Sequence, residues 1–416
     1  MTAPPTDPVS ISFADGIEAG EREAVAVCQR ILPGWSQLDG GLCTVSKISG
    51  GISNMLVKVA PPADSGLNPV AVKVFGDKTE LLIDRDTERH VLLKLNEAGF
   101  GAKVVGLFEN GRIEEFLPCK TLTPDEMASP DYVPRIAARL RKFHELKGLE
   151  QQSQPRQTQF DTIRGWLAMA RSLHFDDPAK QKQYAAVDFG AMEKELQELE
   201  DLCQLVDSPV VFSHNDLLSG NILILQPPQG TGRAEGAAGK ADNQQDDAGQ
   251  DMQFIDFEYS AYGFRGFDFG NHFNEYAGFD CDYTKYPGPA AQRLFFRHYL
   301  GLPDASSNAQ PPTTANHQNQ DTQPVSAAHQ DQDQDHQDQD QDQEDQQLER
   351  LSAEANIYAL ASHAYWGVWS FIQARYSPID FDYLSYSALR WGEYHRRKEE
   401  FVAQLKRVFG AAAGAP

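Results

Sequence analysis

Fifteen residues, Val210 to Ile224 (VVFSHNDLLSGNILI), limit what this 416-residue chain can fold into more than any other stretch. Two apolar runs rich in Val and Ile, Val210 to Phe212 and Ile222 to Leu225, flank a polar loop. Runs this short read as strands, so the loop is held at both ends and its polar side chains face a cavity or solvent. Within it Asp216 precedes Asn221 by five residues.

That spacing suits phosphoryl transfer, in which an Asp accepts the proton of the attacking hydroxyl and an Asn further along ligates magnesium. A second acidic stretch, Phe254 to Tyr259 (FIDFEY), alternates as a strand would. Asp256 and Glu258 would then share one face, two carboxylates able to hold a hard cation through oxygen. Taken singly, each signal is weak, and Asp216 reads equally as a turn residue capping its own backbone. In this order, HxDxxxxN followed by a strand with ID, they favour a phosphotransferase site.

The N-terminal third reads as a helical segment (1–41) followed by a β-rich lobe (42–120). Residues 18 to 32 space apolar positions as a surface helix does, and Pro33-Gly34 ends it. Leu42 to Ser49 and Leu56 to Ala60 read as strands joined by Gly50-Gly51-Ile52-Ser53-Asn54. Such glycines let a backbone approach phosphates closely, although a plain hairpin is their usual meaning. The strand Val70 to Phe75 buries Lys73, and the helix after it carries Glu88, so a Lys73–Glu88 ion pair is expected; the bland reading is an edge lysine that snorkels. Val104 to Phe108 and Arg112 to Phe116 form a hairpin about Asn110-Gly111.

From Asp131 onward helical periodicity dominates, which makes 121–416 a larger, mainly helical lobe. His144, on an apolar helix face, reads as a satisfied core histidine, and Pro155 to Gln159 as a surface loop. Two polar stretches, about 227–251 and 302–347, lack apolar periodicity and read as disordered inserts. The second holds His317, His329 and His336 among carboxylates, where a solvated tract outweighs a metal site.

Net charge is -23, which disfavours nucleic acid or an anionic membrane as partner. An acidic surface suits a cationic substrate, although solubility alone explains it as well. The five cysteines, Cys28, Cys43, Cys119, Cys203 and Cys281, are widely spaced without a CxxC, so a reducing cytoplasm is expected and a disulfide framework is not. No apolar run approaches the roughly 20 residues that cross a bilayer, and the first residues lack the pattern of a signal or transit peptide.

The segments GGISNMLVKV, FSHNDLLSGNIL, FIDFEYSAYGFRGFDFGNHFNEYAGF, ASHAYWGVWSFIQA and FDYLSYSALRWGEYHRRKEEF resemble the choline/ethanolamine kinase family, and most its ethanolamine kinase branch. The resemblance implies an α+β, bilobal protein-kinase-like fold with a small β-rich lobe and a larger helical one. It implies ATP and Mg2+ as cofactors and transfer of the γ-phosphoryl group to the hydroxyl of ethanolamine, for phosphatidylethanolamine synthesis. Asp216 would be the base; Asn221 and Asp256 would hold magnesium, with Glu258 helping directly or through water. Gly50, Gly51, Ser53, Asn54, Lys73 and Glu88 would serve the nucleotide, whose adenine meets the backbone from Glu114 to Leu117, Glu115 and Leu117 included. Arg is commoner than Lys in the family at position 73.

For the amine, Trp366 and Trp369 lie three apart on an apolar helix; burial in the core is the default for such a pair, and a cation-π wall the sharper reading. The resemblance favours the wall, with Glu275, Tyr259 and Tyr386 beside it and Asp280 where choline kinases place a pocket Tyr. Leu217-Leu218, where choline kinases read Cys-Gln, points to ethanolamine; choline, or both amines, is the runner-up. A homodimer is left open. Rival readings are another small-molecule kinase, for aminoglycosides or fructosamines, and an inactive kinase-shaped binding protein.

Overall fold

In the computed structural model, residues 3–48, 54–76, 78–149, 158–226, 251–302 and 327–410 are described, the side chains of 327–338 excepted. Gly50, Gly51 and Ser53, the first insert up to residue 250, His317 and the side chains of His329 and His336 lie outside what is described.

The N-terminal lobe is built on Val70–Phe75, whose run of β-branched residues is buried along nearly its whole length. It pairs antiparallel with Asn54–Ala60 on one side and Gly111–Glu115 on the other, in a six-stranded sheet completed by Thr44–Lys47, Val104–Phe108 and the short Thr6–Asp7. The register sets Lys73 opposite both Leu56 and Arg112. The expected first helix, Ile17–Ile31, packs Ala24, Val27, Cys28 and Ile31 against Val57, Val59, Val72 and Ile113. Gly34 follows it with φ 82°, a left-handed turn that glycine takes without strain. Helix Arg85–Glu97 begins at Asp84, whose carboxylate caps the amides of Asp86 and Thr87, and it buries Glu88, Val91, Leu92 and Leu95.

The larger lobe wraps around one helix, Ala327–Tyr376. Every residue from Leu351 to Ile372 is buried, Glu354, Asn356 and His363 included, so this segment meets protein on all sides rather than on one apolar face. Helices Gln159–Ala170, Phe189–Gln204, Arg265–Asn274, Pro289–Leu300 and Tyr383–Phe409 pack about it. Two small sheets carry the loops of interest: Val210–Ser213 pairs with Ala261–Phe264, and Ile222–Leu225 lies between Cys119–Thr121 and Met252–Phe254.

Three expectations are corrected. The FIDFEY strand stops at Phe254; Asp256 has φ 64° and Phe257–Tyr259 forms a 3-10 turn, so Asp256 and Glu258 do not alternate on a pleat. The second insert is helical from Ala327 on, because it continues the buried helix without a break and because Asp345 and Glu344 pair with Arg293 and Arg297 of a neighbouring helix. Gln159 is no loop residue: it opens a helix and is 4% exposed, its side chain bonded to Asn215 Oδ1 and to the amide of Phe264.

Helix Arg265–Asn274 crosses the central helix closely enough that a Cβ on Gly270 would stand 2.3 Å from the amide nitrogen of Ala359 and 2.6 Å from the carbonyl oxygen of Ala355. Backbone atoms cannot swing aside as a flexible side chain can. Gly270→Ala should therefore destabilise the protein by roughly 1–3 kcal/mol through overpacking, read as a lower urea midpoint; an unchanged midpoint would contradict this crossing.

Candidate active site

The loop after Val210–Ser213 is fixed by a carboxylate buried beneath it. Asp268, on helix Arg265–Asn274, accepts from the amides of His214 and Asn215 at 2.6 Å each and faces His144 Nε2 at 3.0 Å. Burial opposes ionisation of Asp268, yet these donors hold its carboxyl below the usual range. His144 is thus the satisfied core histidine expected, its Nδ1 lying 2.9 Å from the Tyr299 hydroxyl. Asn215 adopts φ 64°, a conformation Asn tolerates, and its amide reaches the Tyr259 carbonyl at 2.8 Å. His214 Nε2 bonds the Ile255 carbonyl at 3.0 Å, and His272 donates to the Leu217 carbonyl at 3.0 Å. His214 and Asn215 shape the loop, as the sequence suggested.

Asp216 is thereby held at the centre of a cleft of about 620 Å³. Asn221 donates to its carbonyl at 2.8 Å and to its carboxylate at 3.1 Å, which leaves the Asn221 Oδ1 as a donor atom for a ligand. Burial, with Glu275, Asp256 and Glu258 nearby, pushes the Asp216 carboxyl well above the usual carboxylate range.

The expected Lys73–Glu88 pair does not form. Lys73 Nζ lies 2.7 Å from Asp256 and 3.8 Å from Glu258. Glu88 is taken by two guanidiniums instead, Arg112 at 2.6 Å and Arg85 at 2.6 Å. Arg112 also bonds Glu114 at 2.5 Å, and Arg85 reaches Glu258 at 3.3 Å. The reason is register: Arg112 stands directly across from Lys73 and fills the place beside Glu88. Asn54 Nδ2 donates to Glu258 at 3.0 Å. Burial opposes ionisation of both carboxyls, yet the Lys73 ammonium holds Asp256 below the usual range, while Glu258, beside Asp256, is raised.

Asn221 Oδ1 and the Asp256 carboxylate offer oxygen only, the donor chemistry a hard divalent cation prefers. Among the described residues no group of three or more His, Cys, Asp or Glu side chains is placed to hold a metal unaided. A cation here would share its sphere with phosphate oxygens and water, as magnesium commonly does.

The cleft runs from Glu114, Glu115, Phe116 and Leu117 at one end to Glu275, Tyr259, Trp366, Trp369 and Tyr386 at the other, with Asn54, Lys73, Asn221, Asp256 and Glu258 between. Trp366 Nε1 donates to Asn271 Oδ1 at 2.7 Å and Trp369 Nε1 to the Tyr259 hydroxyl at 2.9 Å. The two indoles stand edge to face, centroids 5.3 Å apart. Two expected residues do not line the cleft. Glu88 is buried behind it, and Asp280 is exposed outside it because the turn after Gly278 sets Phe279, not Asp280, at the mouth.

Residues 45–395 match the family model described as choline/ethanolamine kinase. The chain belongs to that family. It is 36% identical over 375 residues to a probable ethanolamine kinase of Arabidopsis thaliana, across 90% of this chain and 84% of the relative. With a probable ethanolamine kinase A of Dictyostelium discoideum it shares 33% over 365 residues, 86% of each chain. The solved Plasmodium vivax ethanolamine kinase superposes with a TM-score of 0.67 at 24% identity, over 92% of this chain and 90% of that one, a likeness of fold.

In this member of the choline/ethanolamine kinase family several cleft-building residues lay beyond the sequence reading. Arg85, Arg112, Asn271, Phe279, Phe381, Tyr383 and Arg390 all line or brace the site. A signal existed for Arg390: it stands on the apolar face of a helix, in SYSALRWGEY, where a charge needs a partner. Among the described residues no helix is long and apolar enough to cross a membrane.

For Glu88, burial opposes ionisation, but Arg112, Lys73 and Arg85 outweigh it and bring the carboxyl from 4.5 down to about 2. A folded value below the unfolded one stabilises the protein fully above 4.5 and loses that contribution as pH falls toward 2. Glu88→Ala should cost roughly 1.5–3 kcal/mol at pH 7, because it removes the carboxylate shared by two guanidiniums, Arg112 and Arg85, which keep Glu114 and Glu258 as their remaining carboxylates. The deficit against the parent protein, measured by urea unfolding, should shrink as pH is lowered through that window.

Proposed function

We infer that the chain is an ATP-dependent ethanolamine kinase, making phosphoethanolamine and ADP, and so opens the CDP-ethanolamine route to phosphatidylethanolamine. One observation carries this reading: a single cleft places Asp216 between a Lys/Asn/Asp cluster at one end and a carboxylate with an aromatic wall at the other. Those are the needs of a phosphate donor and of an amino alcohol.

Asp216 accepts the proton of the ethanolamine hydroxyl as its oxygen bonds the γ-phosphorus and the bond from that phosphorus to the bridging oxygen of ADP breaks. Lys73 presents its ammonium to the phosphates, leaving Asp256 to act with Asn221 Oδ1 as a magnesium ligand and Glu258 to assist. When bound, magnesium neutralises charge on the phosphate oxygens. Asn54 faces the phosphates, and the family resemblance gives Gly50, Gly51 and Ser53 a part in binding the nucleotide. The backbone of Glu115 and Leu117 faces the adenine, while Glu88 holds the strand behind it through Arg112. Glu275 accepts from the ammonium, and Trp366, Trp369, Tyr259 and Tyr386 enclose it.

Choline is the second reading, favoured by those same rings, since a trimethylammonium has no N–H to satisfy and seeks aromatic faces. Comparing kcat/KM for ethanolamine, its N-methyl derivatives and choline, with ATP and magnesium, decides between them. Ethanolamine is expected to lead, and a preference for choline would overturn the branch assignment.

Asp216→Asn keeps the shape and removes the base, so kcat should fall by roughly 10²–10⁴-fold. The raised carboxyl of Asp216 favours the fold at low pH and ceases to do so as pH rises through its folded value. The variant should accordingly melt no lower than the parent protein at pH 8 without nucleotide. Near-normal turnover would sink Asp216 as the base.

A further inference from the structure

We propose that Arg390 is a positioning residue for the amine end of the cleft and acts together with Ser362. The proposal rests on the amino-alcohol reading of that end. Arg390, on helix Tyr383–Phe409, is 2% exposed and does not line the cleft. Its Nη1 donates to Glu275 Oε1 at 3.1 Å and to the Tyr386 hydroxyl at 3.2 Å. Its Nη2 donates to Ser362 Oγ at 2.9 Å and to the Ser362 carbonyl at 3.4 Å. Ser362 Oγ passes its own hydrogen to Asn271 Oδ1 at 2.8 Å, the oxygen that also accepts Trp366 Nε1 at 2.7 Å. One chain of bonds, Glu275–Arg390–Ser362–Asn271–Trp366, therefore ties the carboxylate of the site to its aromatic wall.

Burying a guanidinium costs more than burying an apolar side chain of the same size unless all its partners are in place. Apolar packing would serve the helix contact at least as well, so the charge is explained by the carboxylate it faces. With Oε1 occupied, Glu275 cannot rotate freely, and Oε2 is the oxygen left for an ammonium. A lysine has one nitrogen and no planar fork, so it cannot meet Glu275 and Ser362 in the same geometry. None of these bonds reaches the nucleotide end.

The test uses the full-length protein and steady-state kinetics with both substrates varied. Arg390→Met should raise the KM for ethanolamine by roughly tenfold or more, since a charged buried partner is lost, with the KM for ATP nearly unchanged. Arg390→Lys should fall between. Ser362→Ala, which removes the joint between carboxylate and aromatic wall, should shift the ethanolamine KM in the same direction and leave the ATP KM alone. A role in folding alone would lower the melting temperature or kcat while both KM values stay, and that result would overturn the proposal. Should Arg390→Met fail to fold, Ser362→Ala decides by itself, and an unmoved ethanolamine KM rejects the idea. A parent protein that turns over no amino alcohol would overturn the functional reading and this inference with it; an active parent with unmoved amine KM in the variants overturns this inference alone.

Discussion

Everything at the site depends on where one loop is pinned, and the pin is the buried carboxylate of Asp268. It takes the amides of two successive loop residues and faces a histidine from another helix, so a short polar segment is fixed to a packed core. A carboxylate with this many donors is stable in a dry interior, where a lone one would not be. The constraint passes outward: Asn215 is then bonded by Gln159 and to Tyr259, Asp216 is presented to the cleft, and Asn221 closes the loop onto Asp216. A loop held by its own backbone amides can carry a destabilised acid without yielding.

Charge in the cleft falls into two groups. Asp256, paired with the buried Lys73, is the more open carboxylate, while Glu88 and Glu258 lie deeper against Arg85 and Arg112. The deeper pairs are structural, since each carboxylate meets a guanidinium fork on a sheet or helix that does not move independently. The shallow pair can be exchanged for phosphate and metal at smaller cost. A difference of one position in strand register would have moved Arg112 to the opposite face and freed Glu88 for Lys73.

The polar loop from His214 to Asn221, the lysine strand, the two lobes and the aromatic pair were legible because each is a local pattern of strand, turn or helix residues. Asp256 was found, but its conformation was not: FIDFEY alternates, while in the fold Ile255 is held by a tertiary bond to His214 and Asp256 turns left-handed. The Lys73–Glu88 pair failed because the competing cation, Arg112, lies on a strand whose register the sequence leaves open. Arg390, Ser362 and Asn271 are on three different helices and meet only through packing around Leu351 to Ile372. Asp280 was misplaced by one residue of a turn, a distance no periodicity resolves. The tract beginning at Ala327 reads as low-complexity on composition, yet it joins a helix anchored in the core and inherits its geometry.

Both indole nitrogens of the aromatic wall spend their hydrogens inside the protein, on Asn271 and on Tyr259. What the wall offers a guest is the π-electron field of its rings, which varies gently with position and is indifferent to how a cation is rotated. The single carboxylate oxygen opposite is the reverse, a directional acceptor that scores only a donor aimed at it. The two halves of such a chamber divide their labour. In the amino-alcohol reading proposed for this cleft, one half would admit organic cations as a class and the other would separate those that bear N–H from those that do not, so drift between amines would proceed through the carboxylate side while the rings stay as they are.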